Sequence, residues 1–217
     1  SHFINVFMLD RHGNRIDRRN PQDIFTPLYN HQIPPGAATS LHYEFQVPTD
    51  LQTPIVAEVK LQYRKFDQRY MDYVARQNEK LGKSIPGRKD GDVYVNELPI
   101  TTLAMDSITL PVEGVEAQIE HAKVEIPAWQ RWNDYGIGLL LKGKAELRQA
   151  ADAFTMVEAQ KRWDGPLNLA RVYNVEGRLA EAVDALNRAN EFRTEPEFPR
   201  WTWAWLSGWV SAQEGHF

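Results

Sequence analysis

Residues 1–127 and 128–217 carry different patterns of apolar and polar positions. In the first stretch five runs are rich in Val, Ile, Tyr, Phe and Thr: INVFML, LHYEFQV, IVAEVKLQY, DVYVNEL and ITTLAMDSITL. LHYEFQV puts Leu41, Tyr43, Phe45 and Val47 on one face and His42, Glu44 and Gln46 on the other, because successive side chains of a strand point to opposite faces. Val59, Leu61 and Tyr63 alternate in the same way. Bounded by Pro, Gly and Asp, these runs predict antiparallel strands with one wetted face. DRHGNRI predicts a turn, with Gly13 and Asn14 tolerating positive φ. About six strands without βαβ alternation predict a small β-sandwich. One interruption, KFDQRYMDYVARQNEKLG, spaces Phe66, Tyr70, Tyr73 and Val74 at helical intervals and stops at Gly82. It predicts a short helix on the edge of the sandwich. The polar, breaker-rich KSIPGRKDGD after it predicts an exposed loop.

Ten of the 13 prolines stand at or before Pro127, so the seam EIPAWQRW marks the predicted boundary between domains 1–127 and 128–217. Beyond it Ala and Leu recur at three- and four-residue spacing, the period of a packed helix face. Trp132, Tyr135, Gly136, Leu139 and Gly143 recur 34 residues later as Pro166, Leu169, Ala170, Tyr173 and Gly177. That period, with a small residue between bulky ones in the first helix, resembles the tetratricopeptide repeat. Trp132, Gly136, Ala150 and Phe154 match its pattern in a first repeat, and Leu169, Ala170, Tyr173, Gly177, Ala182, Leu186 and Ala189 in a second. The first repeat carries two more residues between Gly143 and Ala150 than the second carries between Gly177 and Ala182, which predicts a longer turn. In VYNVEGRLAEAVDAL, Tyr173 closes one helix, Gly177 bends the chain, and Ala182 and Leu186 begin the return.

A third first-helix, WTWAWLSGWVSAQEG, spaces Gly208 and Gly215 as Gly136 and Gly143 are spaced, giving about two and a half repeats. Solenoid ends have a polar outer face; Trp201, Trp203, Trp205 and Trp209 therefore predict that the array continues. Gly136, Ala170 and Gly208 are the expected points of close helix approach, answered by Ala150 and Ala182. A plain helical bundle with chance spacing is the competing reading. The fold class is α+β: an N-terminal antiparallel β-sandwich followed by C-terminal α-helical hairpin repeats.

Composition narrows the function. At 42% hydrophobic and 25% charged residues the chain reads as a soluble globular protein. A net charge of −4 offers no electrostatic case for nucleic acid. No apolar run reaches the roughly 20 residues of a membrane span. The absence of cysteine excludes disulfides, thiolate zinc sites, cysteine nucleophiles and covalent haem attachment within this chain. The histidines at 2, 12, 31, 42, 121 and 216 show no metal-binding helix spacing, and no phosphate-loop or nucleophile-elbow motif occurs. No catalytic residue and no metal are predicted, and the chain does not read as an enzyme.

Two binding surfaces can be named. Arg11, Arg15, Arg18 and Arg19 in RHGNRIDRRN suit an anion or a haem propionate, because guanidinium forks match carboxylates and phosphates. The opposing reading is a solvated turn with Asp10 and Asp17 as partners. By the tetratricopeptide resemblance, the first helices line a partner-binding groove: Asn133 and Ile137, then Leu167, Arg171 and Asn174, then Trp205 and Trp209. Arg171 and Asn174 would hold a partner backbone or carboxylate; simple solvent exposure is the alternative.

LDRHGNRIDRRNPQDIFTPLYNHQIPPGAATSLHYEFQVP, AEVKLQYRKFD and LPITTLAMDSITLPV resemble the region after the haem domain in certain bacterial multihaem c-type cytochromes that carry tetratricopeptide repeats. The resemblance implies an exported, periplasmic protein connected to electron transfer. No Cys-x-x-Cys-His occurs, so no cofactor is expected in this chain and haem c would belong to an upstream region. The implied partner is another protein or a haem domain of the same polypeptide. The expected function is a non-catalytic protein-binding and assembly module. The alternative is a carbohydrate-binding or hydrolytic β-sandwich with a helical appendage, its first-half aromatics lining a sugar face.

Overall fold

A computed structural model of the chain describes residues 2–18, 20–83, 89–91, 93–115 and 125–216. The fold is mixed α+β, with six α-helices and three two-stranded antiparallel sheets among those residues. The chain divides into two compact units, Ser1–Gln32 with Gln46–Ala122, and Ile33–Phe45 with Lys123–Phe217. A single cut at Pro127 would have left Ile33–Phe45 outside the helical unit to which it belongs.

In the first unit β1 (Val6–Leu9) pairs with β2 (Thr26–Asn30), with an irregularity between Phe7 and Met8. The turn after β1 forms as predicted. The Asp10 carboxylate accepts hydrogen bonds from the amides of His12 and Asn14, each at 2.8 Å. Positive φ is needed only at Gly13 (φ 80°) and not at Asn14. β3 (Ile55–Tyr63) pairs with β6 (Thr101–Leu110) in a ribbon with an irregularity between Leu61 and Gln62. Between them lies α1 (Gln68–Lys80), the predicted helix, whose first turn is capped by Asp67 accepting from the Tyr70 amide at 2.8 Å. β4 (Lys89–Asp90) and β5 (Val93–Tyr94) form a short hairpin against α1. Gln68 donates to the Tyr94 carbonyl, and Asn96 donates to the Phe66 carbonyl at 2.9 Å.

Three separate pairs of strands stand where one small sandwich was predicted. LHYEFQV forms no strand, and Leu41, Tyr43, Phe45 and Val47 are all exposed. Alternation specifies which way side chains point, but a strand also needs a neighbour to take up its backbone hydrogen bonds. Among the described residues this segment has none. With Val59 65% exposed and Leu61 46%, no second layer covers that face of the β3–β6 ribbon among the described residues. DVYVNEL contributes only Val93–Tyr94 to a strand. β2 went unread because Pro27 interrupts TPLYN; proline is tolerated where it sits, opposite Met8 beside the irregularity. Of the predicted exposed loop, residues 84–88 and 92 lie outside the described residues, and Lys89–Asp90 is strand.

The second unit holds the main core. Its helices are α2 (Ala128–Lys142), α3 (Leu147–Ala159), α4 (Asp164–Glu176), α5 (Leu179–Asn190) and α6 (Arg200–Gln213). Consecutive helices pack on one another, and α4 also touches α2 and α6. Leu139, Ala150, Phe154, Ala170, Val172, Ala182, Ala185 and Leu206 are fully buried between them. Gly136 sets the closest approach of α2 and α3: a Cβ there would stand 2.6 Å from Phe154 Cε1. Gly165 does the same for α3 and α4, since its Cβ would meet the Glu158 amide nitrogen at 2.4 Å. The turn of the second hairpin is as predicted. Gly177 (φ 76°) takes the left-handed conformation, and its amide and that of Arg178 return to the carbonyls of Asn174 and Tyr173 at 3.2 and 2.9 Å. The two extra residues of the first hairpin are absorbed by a 3₁₀ turn, Lys144–Glu146.

Two features were not read from the sequence. Gly138 is covered by the strap Ile33–Phe45, with a built Cβ 2.5 Å from Ser40 Oγ; that hydroxyl donates to the Tyr135 carbonyl at 3.3 Å. At Gly208, expected to be a third close approach, nothing lies within 4 Å of a built Cβ. The two positions therefore answer substitution in opposite ways. Gly136→Leu is expected to lower the unfolding free energy by about 1–3 kcal/mol through overpacking against Phe154. Gly208→Ala is expected to raise it by about 0.5–1 kcal/mol, the helix-propensity difference. Urea denaturation of both variants measures this.

Candidate functional site

The first helices of the hairpins, α2, α4 and α6, carry the groove positions named above, and the structure treats them unequally. Leu167 (2% exposed) and Asn174 (3%) are interior. Asn133, Ile137 and Arg171 are half-buried. Trp205 (59%) and Trp209 (43%) are open to solvent, with ring centroids 5.2 Å apart. The seven residues therefore do not line one open groove: an apolar pair stands on α6, and a polar seam lies between α2 and α4.

That seam runs through a residue missed in the sequence. Asn168 donates to Asn133 Oδ1 at 2.9 Å, and its own Oδ1 accepts from Arg171 Nη1 at 3.0 Å. Asn168 stands three before Arg171, so it shares that face of α4; that spacing was the available signal. The link joins two of the named residues, Asn133 and Arg171, across the helix pair. Arg171 makes no ion pair with a carboxylate among the described residues, and burial lowers its pKa from the ordinary arginine value. It remains charged, because arginine does not deprotonate in proteins. One turn further on, neither side-chain amide atom of Asn174 has a protein partner. Other half-buried arginines are paired: Arg188 donates to Glu158 Oε1 at 2.6 Å, and Arg162 bonds Asp164 at 3.3 Å while lying 4.1 Å from the Trp129 ring centroid.

Two of the four arginines of RHGNRIDRRN, Arg15 and Arg18, are committed to carboxylates within their unit. Arg15 pairs with Asp67 at 3.1 Å and lies 3.6 Å from the Phe7 ring centroid. Arg18 reaches Asp17 and Asp23 at 3.6 and 3.5 Å, and Arg76 also reaches Asp17 at 3.5 Å. Arg11 is exposed, and Arg19 lies outside the described residues. Asp17 thus serves as the partner foreseen for this turn, whereas Asp10 is spent on backbone amides. Arg15 and Arg18 already face carboxylates, so they do not form an open anion cradle.

A second missed contact lies beside β1 and β2. His2 Nε2 and His31 Nδ1 are 2.8 Å apart, brought together where the His31 amide donates to the Asn5 carbonyl at 2.9 Å. Spacing along the chain cannot reveal such a pair, since it arises from strand pairing. Among the described residues no group of three or more His, Asp or Glu could hold a metal ion, and no helix is long and apolar enough to cross a membrane. Comparison with protein-family models, with curated proteins and with solved structures gave no match.

The seam and the buried amide separate two kinds of polar burial. Asn168→Leu leaves Asn133 Oδ1 and an Arg171 donor unpaired and is expected to cost about 1–3 kcal/mol. Asn174→Leu removes a buried amide with no protein partner and is expected to leave stability unchanged or raise it by up to about 1 kcal/mol. Denaturant unfolding of the two variants side by side checks the contrast.

Proposed function

We propose that the helical unit is a non-catalytic protein-binding and assembly module built from tetratricopeptide-like hairpins. The hairpin reading draws support from the 34-residue recurrence, the small-against-large contact of Gly136 with Phe154 and the left-handed turn at Gly177. The observation that carries the binding reading is Arg171: a half-buried cation on the central helix, held by one neutral amide and matched by no carboxylate among the described residues. An isolated charge in such a place is costly unless a partner neutralises it. A guanidinium fork is suited to bidentate capture of a carboxylate, so the partner segment is acidic. On the cytochrome resemblance, which spans nearly the whole chain, the module is read as the C-terminal, non-redox part of a periplasmic multihaem cytochrome or of its accessory protein. The bound segment then belongs to a partner protein or to the haem domain of the same polypeptide.

The test uses the full chain against an array of synthetic acidic peptides and their Asn/Gln counterparts. Acidic peptides are expected to be retained about tenfold or more better than the neutral ones, the range of a charged hydrogen bond. Arg171→Gln should erase that difference, and Arg171→Lys should restore part of it. Equal retention of both peptide sets, or an Arg171→Gln chain that still discriminates, overturns the reading. Cys-x-x-Cys-His motifs in the coding sequence upstream of Ser1 are the expected sign of the cytochrome context, and their absence there removes it.

A further inference from the structure

Two histidines far apart in sequence meet at one end of the β1–β2 pair. The His31 amide donates to the Asn5 carbonyl at 2.9 Å, which extends the register Val6↔Asn30 by one pair and sets Asn5 opposite His31. Opposed residues of an antiparallel pair project from the same face, with Cβ atoms about 5 Å apart. His2 stands three residues before Asn5 and brings its Nε2 to 2.8 Å from His31 Nδ1. That separation is closer than stacked ring faces can come, so the rings meet at those two nitrogens, with centroids 4.8 Å apart. Both rings are half-buried.

Without an ion the contact is a hydrogen bond, one ring donating and the other accepting. With both facing nitrogens deprotonated, the same pair offers two lone pairs to one cation. Two nitrogens held about 2.0 Å from one ion stand about 2.8 Å apart at a right angle and about 3.3 Å apart at the tetrahedral angle. The observed separation fits the right angle, which belongs to square-planar or tetragonal Cu(II) and Ni(II) and not to tetrahedral Zn(II). The donors agree: imidazole suits these ions, whereas calcium and magnesium take oxygen ligands. Between the two, copper binds nitrogen sites more tightly.

A second observation points to the same place. Asn5 Oδ1 is buried and has no hydrogen-bond partner among the described residues. Buried oxygens are rarely left unsatisfied, and an ion is one remedy. This one belongs to the residue facing His31. Among the described residues no third His, Asp or Glu joins the pair, so water completes the coordination.

We propose that His2 Nε2 and His31 Nδ1, with Asn5 Oδ1 as a third donor, bind one divalent copper ion. The site lies in the strand unit and stands independently of the partner reading of the helical unit. Copper(II) titrated into the full chain at neutral pH is expected to bind saturably, one ion per chain, with a paramagnetic-resonance spectrum showing two imidazole nitrogens. Zinc should bind at least tenfold more weakly. His2→Gln and His31→Gln should each weaken copper binding at least tenfold. Asn5→Leu should weaken it severalfold, and His12→Gln, in the exposed turn, should leave it unchanged.

The spectrum of the unaltered chain decides independently of whether any variant folds. A spectrum with one imidazole nitrogen, or no saturable binding, overturns the proposal. Binding that His31→Gln does not weaken also overturns it, because the ion would then be held by His2 and the backbone beside it. Zinc binding as tightly as copper overturns the right-angle assignment and with it the choice of metal.

Discussion

The helical unit depends on a size match: a residue without a side chain beneath an aromatic ring. With Gly136 under Phe154, α2 and α3 approach so closely that a single methyl group would collide. Close packing of this sort forgoes any adjustable gap, because protein interiors are as dense as molecular crystals. Everything nearby must then fall in register. The 3₁₀ turn Lys144–Glu146 takes up the extra chain of the first hairpin without disturbing the contact. A second glycine, Gly165, repeats the device against the Glu158 backbone and joins the first hairpin to the second. A third, Gly138, admits the Ser40 backbone and brings Ile33–Phe45 into the unit. Three omitted side chains therefore fix a hairpin, a junction and a strap.

The same packing makes the polar residues of α4 conspicuous. Interior helices gain stability by burying apolar surface, and buried amides and charges offset that gain unless they are paired. Asn168 is paired twice, so it ties α2 to α4 at little net expense. Arg171 and Asn174 are not paired to the same degree. Arg188 shows the alternative available to this chain: it is held by Glu158 at 2.6 Å across α3 and α5 and also by Asp184. Where local rules are broken without a local remedy, function is the expected reason.

Much of this was legible in the sequence, and the failures share a cause. The 34-residue recurrence located both hairpins, the longer first turn and the bend at Gly177, because helix periodicity and glycine chemistry are local signals. The helix after Asp67 and the strands Ile55–Tyr63 and Thr101–Leu110 were legible for the same reason. What escaped depended on partners remote in sequence. LHYEFQV alternates faultlessly yet has no strand beside it among the described residues, while TPLYN pairs despite its proline. Asn168 acquires its role only from Asn133, which is 35 residues away, and His2 meets His31 only because β1 and β2 pair. Leu167 and Asn174 stand at positions that the tetratricopeptide resemblance assigns to a groove, but both are buried in the helical unit.

The two candidate surfaces depart from ordinary helix packing, and they do so in opposite senses. On α4 the cover is nearly complete and the chemistry is unusual for an interior: a half-buried cation that no carboxylate meets among the described residues, and a buried amide without a protein partner. On α6 the chemistry is right for an interior and, among the described residues, nothing covers it: Trp201, Trp205 and Trp209 are exposed, and no atom lies within 4 Å of a Cβ built at Gly208. One defect selects for charge and geometry, the other for area and shape. Apolar burial contributes affinity roughly in proportion to area, whereas a buried ionic contact contributes chiefly to specificity. Because α4 and α6 touch directly, a partner engaging both would meet discrimination on one helix and adhesion on the next. Either contact alone would then bind less selectively or less tightly than the two together.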